Sequence, residues 1–409
     1  MRTEDEQILD EQLFDCVRVG SVSKIDTLLC LGASFDVVDE KNRKPLYWVR
    51  DIDTLKYILS KGVDVNSVVD SNGKNLLCSL CSRGLEGDFN GRLELISYLR
   101  DNGGAIETVG ATNRGFGNAL SEAADALDLD ALKILLEKYD INIKSNHNRN
   151  LLMSVLSSYH FIYKETNGHP KAIEIANYLI DNGIDVKAVD EYGMNAIHFS
   201  YFDCDLTKKL IDKGVDVNLI DKKGNTPLSS VIDRAPFHPK EAVGVLLENG
   251  ANPNLGLIDG DSILCKAIER NVDELDIIKM IDCGVDINKK NSRGDTPLLL
   301  AVGDGPVQEK VAIKLIEKGA DINVANKDMF GDMKNAFSYV FFKGNDRICY
   351  MLLERGTKIF PTVFELGNEE NIHKINKMKE HIAYKLKNKD KNSSEKSNVF
   401  DMIKERFLR

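Results

Sequence analysis

Gly214-Val215-Asp216-Val217-Asn218, followed three residues later by Lys222-Lys223-Gly224-Asn225-Thr226-Pro227-Leu228, decides the architecture, because degraded copies recur along nearly the whole chain. The second half of each copy is an apolar pair, two polar residues, a glycine, a small or β-branched residue and often Asp-x-Asn. It reads LLCLGASFD at 28–36, ILSKGVDVN at 58–66, LIDKGVDVN at 210–218, LLENGANPN at 246–254, MIDCGVDIN at 280–288 and LIEKGADIN at 315–323. Looser copies are YLRDNGGAI at 98–106, LLEKYDINI at 135–143, YLIDNGIDV at 178–186 and LLERGTKIF at 352–360. The anchors are Gly32, Gly62, Gly103, Tyr139, Gly183, Gly214, Gly250, Gly284, Gly319 and Gly356, spaced by 30 to 44 residues and by 34 to 37 over the last three intervals. A period near 33 residues with a glycine closing each unit predicts stacked supersecondary units.

The first half of the unit reads as a helix start. Asn225-Thr226-Pro227-Leu228 and Asp295-Thr296-Pro297-Leu298 are the clearest, with weaker forms at Asn195-Ala196-Ile197-His198, Lys44-Pro45-Leu46-Tyr47, Ser262-Ile263-Leu264-Cys265 and Asn335-Ala336-Phe337-Ser338. Thr or Asn caps the first turn, and Pro fits the first helical position, where no backbone donor is needed. The later glycine supplies the left-handed residue that stops the second helix. On these motifs the chain resembles the ankyrin-repeat family over residues 6–364, in about ten degenerate units. The resemblance implies an all-α repeat solenoid of helix-turn-helix units with short β-hairpin fingers.

A chain of 409 residues would otherwise suggest two or three globular domains, but a solenoid needs no such division. The organisation expected is a repeat region over 1–364, a basic amphipathic helix over 365–387 that caps the stack, and a flexible linker with a short terminal helix over 388–409. Over Glu369–Lys387, Ile372, Ile375, Met378, Ile382 and Leu386 recur at spacings of three and four, with lysines between them. Phe400, Ile403, Phe407 and Leu408 mark the last helix, which reads as a docking peptide. The acidic start, the lack of a long apolar run and eight scattered cysteines point to a cytoplasmic setting, in the protein's own cell or in a host's.

Net charge is −10, which argues against nucleic acid, whose phosphates dominate affinity. The charge is uneven: residues 357–409 hold 12 Lys and Arg against 8 Asp and Glu, a balance of +4, leaving 42 against 56, or −14, for the rest. Four units are lengthened between their helices, around Gly84–Gly91, Ser157–His169, Ala235–Pro239 and Gly303–Pro306, and these loops are expected along one edge.

Nothing in the sequence assembles an active site. Cys78 and Cys81 have the spacing of a metal pair, but no second pair or neighbouring histidine completes it. His198 falls at the turn histidine that the resemblance makes structural. Gly110–Gly117 is glycine-rich without the Lys-Ser/Thr of a phosphate loop. The expectation is a non-catalytic protein with no cofactor and no metal.

Function then falls to the surface. The family resemblance implies a concave groove made of finger tips and the exposed side of each first helix. Interface energy concentrates in Trp, Tyr and Arg, so Trp48, Tyr192, Phe202, Arg234, Arg270, Arg293 and Phe342 are the partner-binding candidates. Trp48 has a second reading as filler of a shortened unit, and Phe341-Phe342 as packing for the tail. The function expected is to bind, sequester or inhibit a partner protein, in the manner of a viral, phage or bacterial effector acting on host proteins. The alternative is an adaptor whose basic C-terminal tail recruits an enzyme complex or a membrane while the repeats select the target.

Overall fold

The structure is a computed structural model that describes residues 4–82, 91–107, 117–145, 147–162, 168–234, 241–256, 261–303, 306–327, 333–359, 363 and 369–389. Internal contacts divide the chain into two compact units, Met1–Asp216 and Val217–Arg409. In each unit helices follow one another in pairs, and the fold is an all-α repeat solenoid.

In the first unit the pairs are α1 (Glu4–Arg18) with α2 (Val22–Cys30), a 3-10 turn η1 (Pro45–Trp48) with α3 (Ile52–Ser60), and α4 (Leu76–Cys81) with α5 (Arg92–Asp101). Then come α6 (Ala119–Asp125) with α7 (Leu129–Leu136), α8 (Leu151–Ile162) with α9 (Gly168–Asp181), and α10 (Ile197–Ser200) with α11 (Cys204–Asp212). The second unit has α12 (Pro227–Asp233) with α13 (Ala242–Glu248), α14 (Ile263–Glu269) with α15 (Glu274–Asp282), and α16 (Pro297–Val302) with α17 (Glu309–Glu317). A finger of two antiparallel strands, β1 (Ala325–Lys327) and β2 (Met333–Asn335), leads into α18 (Ala336–Phe342) and α19 (Asp346–Glu354), and α20 (Glu369–Lys389) ends the described chain. First helices pack on first helices, and second on second, within each unit. Among the described residues only the finger before α18 forms paired strands; the others are turns, two of them joined by single bridges.

The cap motif forms as the sequence predicts. Thr226 Oγ1 accepts the Ser229 backbone N–H at 3.2 Å while Ser229 Oγ accepts that of Thr226 at 2.8 Å, with Pro227 at the first helical position. Asn75, Asn118, Asn150 and Asn335 cap α4, α6, α8 and α18 at 2.9 to 3.1 Å. These asparagines have a second task. Their Nδ2 groups donate to a carbonyl just beyond the second helix of the same pair, as from Asn150 to Asp185 and from Asn335 to Lys358, both at 2.7 Å. At the other end of the unit, nine of the ten anchor positions are glycines at φ between +80° and +109°. At Gly284 an added Cβ meets nothing within 4 Å, so the left-handed backbone alone selects glycine there. At Tyr139 the stop is made differently: its N–H bonds to the Leu135 carbonyl at 3.0 Å.

A different amide joins one repeat to the next wherever the junction position is asparagine. In Asp-x-Asn the asparagine folds onto the following unit's glycine turn: Asn218 Nδ2 donates to the Gly250 carbonyl at 2.9 Å, and its Oδ1 accepts from Asn252 at 2.8 Å. Asn254 repeats the pair on Gly284 and Asp286, and Asn66 on Gly103 and Ala105. Beneath these clamps lies the core of apolar second-helix residues such as Leu99, Leu135, Ile277, Leu315 and Leu352, all fully buried, and Leu246.

Helix α20 packs on α19 in the second unit. Ile375, Met378 and Ile382 are buried as it packs on α19, Lys374 Nζ reaches Asp346 Oδ1 at 2.7 Å, and His381 meets Tyr350 edge-on. Ile372, expected in the same stripe, is instead 41% exposed, because it sits in the first turn, before the packed face begins. The helix continues to Lys389, and residues 390–409 with their apolar motif lie outside the described residues. Of the lengthened connections, 83–90, 163–167, 235–240 and 304–305 lie outside them too. Ser157–Ile162, read from the sequence as loop, instead continues α8, and Gly168 and His169 already belong to α9. The run Leu151–Ile162 has no Pro or Gly to stop a helix at Ser157.

Candidate partner-binding cleft

In the first unit, fingers and first helices enclose an open cleft of about 620 Å³. Its helix side is rich in hydroxyls: Ser82 after α4, Ser121 on α6, and Ser154, Ser157 and Ser158 on α8. These short side chains leave the space that larger ones would fill. Ser158 Oγ donates to Asp125 Oδ1 at 2.9 Å, so α6 and α8 are also joined across the floor. Gly117 comes so close that an added Cβ would collide with Ser121 Oγ. One ion pair is sunk into the floor: Lys74 Nζ lies 2.7 Å from Glu122 Oε2, with both side chains nearly buried.

The finger side carries four cations, Lys41, Arg43, Lys74 and Arg149, against one lining carboxylate, Asp70, with His147 beside them. Three of the described fingers in the first unit are turns closed by a carboxylate at the start. Asp39 Oδ1 receives the N–H groups of Lys41 and Arg43, and Asp70 and Asp190 do the same in their fingers at 2.9 to 3.0 Å. Three further carboxylates that balance the wall are not among the lining residues. Asp39 holds Arg43 Nε at 2.8 Å, Asp190 holds Arg149 Nε at 3.1 Å, and Glu191 pairs with His147. Asp39 is partly buried, which works against its charged form. Its hydrogen bonds from Arg43 and Lys41 and the Arg43 charge outweigh that, and its pKa is held below the ordinary value.

None of the seven residues singled out by sequence lines this cleft. Trp48 is a correction: it is 4% exposed, flanked by the Arg18 and Arg43 guanidinium groups at 4.1 Å, and donates to Asp39 at 3.3 Å. Its unit has only the η1 turn where a first helix should stand, and the indole fills that gap, as its second reading held. Phe202 is also corrected. At 4% exposed it belongs to the core, since α10 is a single turn and Tyr201 and Phe202 fold inward after it. Arg234 is drawn in far enough for burial to depress its pKa. Arg270 and Arg293 are engaged by neighbours, on Asp233 at 2.6 Å and on Glu269 at 2.7 Å. Phe342 is 41% exposed beside Lys334, while Phe341 is buried near Lys374 of α20. Tyr192 is 39% exposed and stands behind the wall, its hydroxyl 3.4 Å from His147 Nδ1. A hydrogen bond with Glu191 raises its pKa.

The residues that sequence reasoning missed are the serines and the finger at 145–149. A helix position occupied by Ser gives no signal of a floor until its neighbours are placed. The finger was lost because Tyr139 stands where the register expects glycine.

The buried thiols are inert in this fold. Burial pushes Cys78 up to about 12 and Cys81 well above the ordinary value. His198 is buried, with Nδ1 accepting the Asn195 N–H at 3.2 Å. Among the described residues no group of His, Cys, Asp and Glu could hold a metal ion, and no helix is long and apolar enough to cross a membrane.

A family model described as ankyrin repeats, three copies, matches residues 166–256 and 235–326. Residues 166–326 are ankyrin repeats. A curated relative, alpha-latrocrustotoxin-Lt1a of Latrodectus tredecimguttatus, is 23% identical over 326 residues, 76% of this chain and 19% of the toxin. The chain thus spans about a fifth of that relative's length. The crystal structure of the human ASB11 ankyrin repeat domain is 16% identical, covers 59% of this chain and 98% of its own, and superposes with a TM-score of 0.44. Ankyrin repeats are protein–protein interaction modules, which gives this chain's function in outline.

Proposed function

We propose that the chain is a non-catalytic binding protein that holds or sequesters a partner protein in the cleft of its first unit. The observation that carries this reading is the cleft itself, about 620 Å³ between a cationic finger wall and a hydroxyl floor. Its size suits one extended segment of a partner. Its polar lining suits hydrogen bonding along a chain better than burial of one large apolar anchor. Action on a host's proteins remains part of the proposal, supported by the toxin among the relatives.

The adaptor reading makes a separate forecast. The apolar face of α20 is already used against α19, so recruitment by that helix would have to use its exposed residues, such as Tyr384 at 67%. Ser157→Trp fills the cleft floor from a half-buried position. Affinity capture with the wild-type chain, this variant and a chain ending at residue 364 separates the readings. A partner absent only from Ser157→Trp supports the cleft. A partner absent only from the shortened chain supports the adaptor and sinks the cleft.

A further inference from the structure

We infer that Arg149 is the anchor of the cleft, a guanidinium held ready for a carboxylate side chain on an extended acidic segment of the partner protein. This rests on the cleft being the binding site. Arg149 is fixed in direction before any partner arrives. Its Nε donates to Asp190 Oδ2 at 3.1 Å, and the Asp190 side chain is fully buried. The other oxygen of Asp190 closes its own finger turn on Tyr192 and Met194, so that carboxylate cannot swing away without opening the finger. The guanidinium carbon also lies 5.1 Å from the Phe199 ring and 5.9 Å from that of Tyr192.

What is held in place is also uncommitted. Among the described residues neither Nη group of Arg149 has a hydrogen-bond partner, and the side chain is 24% exposed on the cleft wall. The two Nη groups present N–H donors in the planar fork that matches a carboxylate. Arg270 and Arg293 differ in this respect, since each uses an Nη group on a neighbouring carboxylate. The surroundings favour an anion as well. Exposed Lys41 stands on the same wall; Asp39, Asp190 and Glu191 are not among the lining residues, and the finger carboxylate that is, Asp70, accepts the N–H groups of Asn72 and Lys74. Opposite, Glu122 is matched by Lys74, and Asp125 accepts from Ser158. A guanidinium already immobilised by stacking and a buried partner loses little freedom on binding.

The test uses the full chain and fluorescence anisotropy of a labelled 12-residue peptide alternating Asp and Ser, with an Asn-for-Asp peptide as control. The acidic peptide is expected to bind at least about tenfold more tightly than the control. Arg149→Lys keeps the charge and the contact with Asp190 but loses the fork. It should weaken the acidic peptide by about tenfold, with an unchanged melting temperature. Arg293→Gln, in the second unit, should leave binding unchanged. Equal binding of the two peptides, no binding of the acidic one, or indifference to Arg149→Lys overturns the carboxylate inference. Ser157→Trp distinguishes that failure from a failure of the cleft. If it blocks capture of the cellular partner while Arg149→Lys does not, the cleft stands and the carboxylate does not. If it leaves both peptide and partner bound, the cleft reading falls as well.

Discussion

The second unit closes its repeat junctions with the same residue four times, Asn218, Asn254, Asn288 and Asn323, whereas the matching positions of the first unit are Asp36, Asn66, Glu107, Asn142 and Lys187. All four asparagines of the second unit accept from the backbone of the following repeat, at 2.7 to 2.8 Å. At Lys187 the clamp is gone, and the lysine instead lies along Gly214, its Nζ 3.0 Å from where a Cβ would stand. The first unit is irregular elsewhere too, with η1 in place of a helix, Tyr139 in place of glycine and α8 drawn out to twelve residues. Two of these parts, the η1 finger and α8, bound the cleft, with the finger at 70–74 and α6 between them. Repetition here secures the stack, and departure from repetition makes room for a ligand.

That contrast is most sharply broken in the core. Leu246→Ala in the regular unit and Leu135→Ala in the irregular one should each cost about 2–5 kcal/mol, by lost burial and the cavity left behind. Hydrogen exchange should show protection falling first in the helices packed against the altered one, α15 for Leu246 and α5 for Leu135. Uniform loss of protection along the chain would sink nearest-neighbour coupling in both units.

A smaller effect tests whether regularity means freedom from strain. Asp276 is 6% exposed on α15 and its Oδ2 has no hydrogen-bond partner. Gly244 on α13 makes room for it, since an added Cβ would stand 3.0 Å from Oδ1. Burial, reinforced by Asp273, Glu241 and Glu248 against the opposing Lys279, pushes this carboxyl up to about 6. A folded-state pKa above the unfolded value means that stability is fully present below about 4. It is lost as pH rises through about 6. Asp276→Asn should therefore be neutral near pH 3.5 and stabilising by about 1–3 kcal/mol at pH 8, read by urea melts at both pH values. A gain of equal size at both would show that the carboxylate is not the cause.

The clamps give the smallest and most direct comparison. Asn254→Ala removes a donor and an acceptor at once and should cost about 1–2 kcal/mol. Lys187→Asn supplies the residue that the first unit lacks and should gain about 0.5–1 kcal/mol. Thermal melts of the two single variants decide it: a Lys187→Asn variant no more stable than wild type would mean that the junction has adapted to lysine.

Much of this was legible in the sequence, for physical reasons. Thr226-Pro227 and Thr296-Pro297 specify helix starts locally, and glycine at Gly250, Gly284 and Gly319 specifies helix stops. The fold of the regular stretch therefore needs no distant information, and the matched family model, at residues 166–326, covers much of it together with the end of the first unit. The site was not legible. Large exposed-type residues were expected to carry it, yet Trp48 and Phe202 are absorbed by gaps that shortened helices leave in the core. Arg149 was passed over because Tyr139 shifts the register just before it, and its commitment to Asp190 across 41 residues is a property of the stacked fingers.

The junction clamps carry one more consequence, which concerns how such a chain can change over generations. Asn218 and Asn254 bond to a carbonyl and an amide of the following repeat, groups present on nearly every residue whatever its side chain. A junction of this kind reads only the path of the neighbouring backbone. A duplicated, lost or transplanted repeat that keeps its own glycine turn finds its seat ready, with no compensating change required on either side. Lineages built this way can lengthen or shorten by whole repeats, while the cleft, which depends on particular side chains in three fingers and on α6 and α8, tolerates no such exchange.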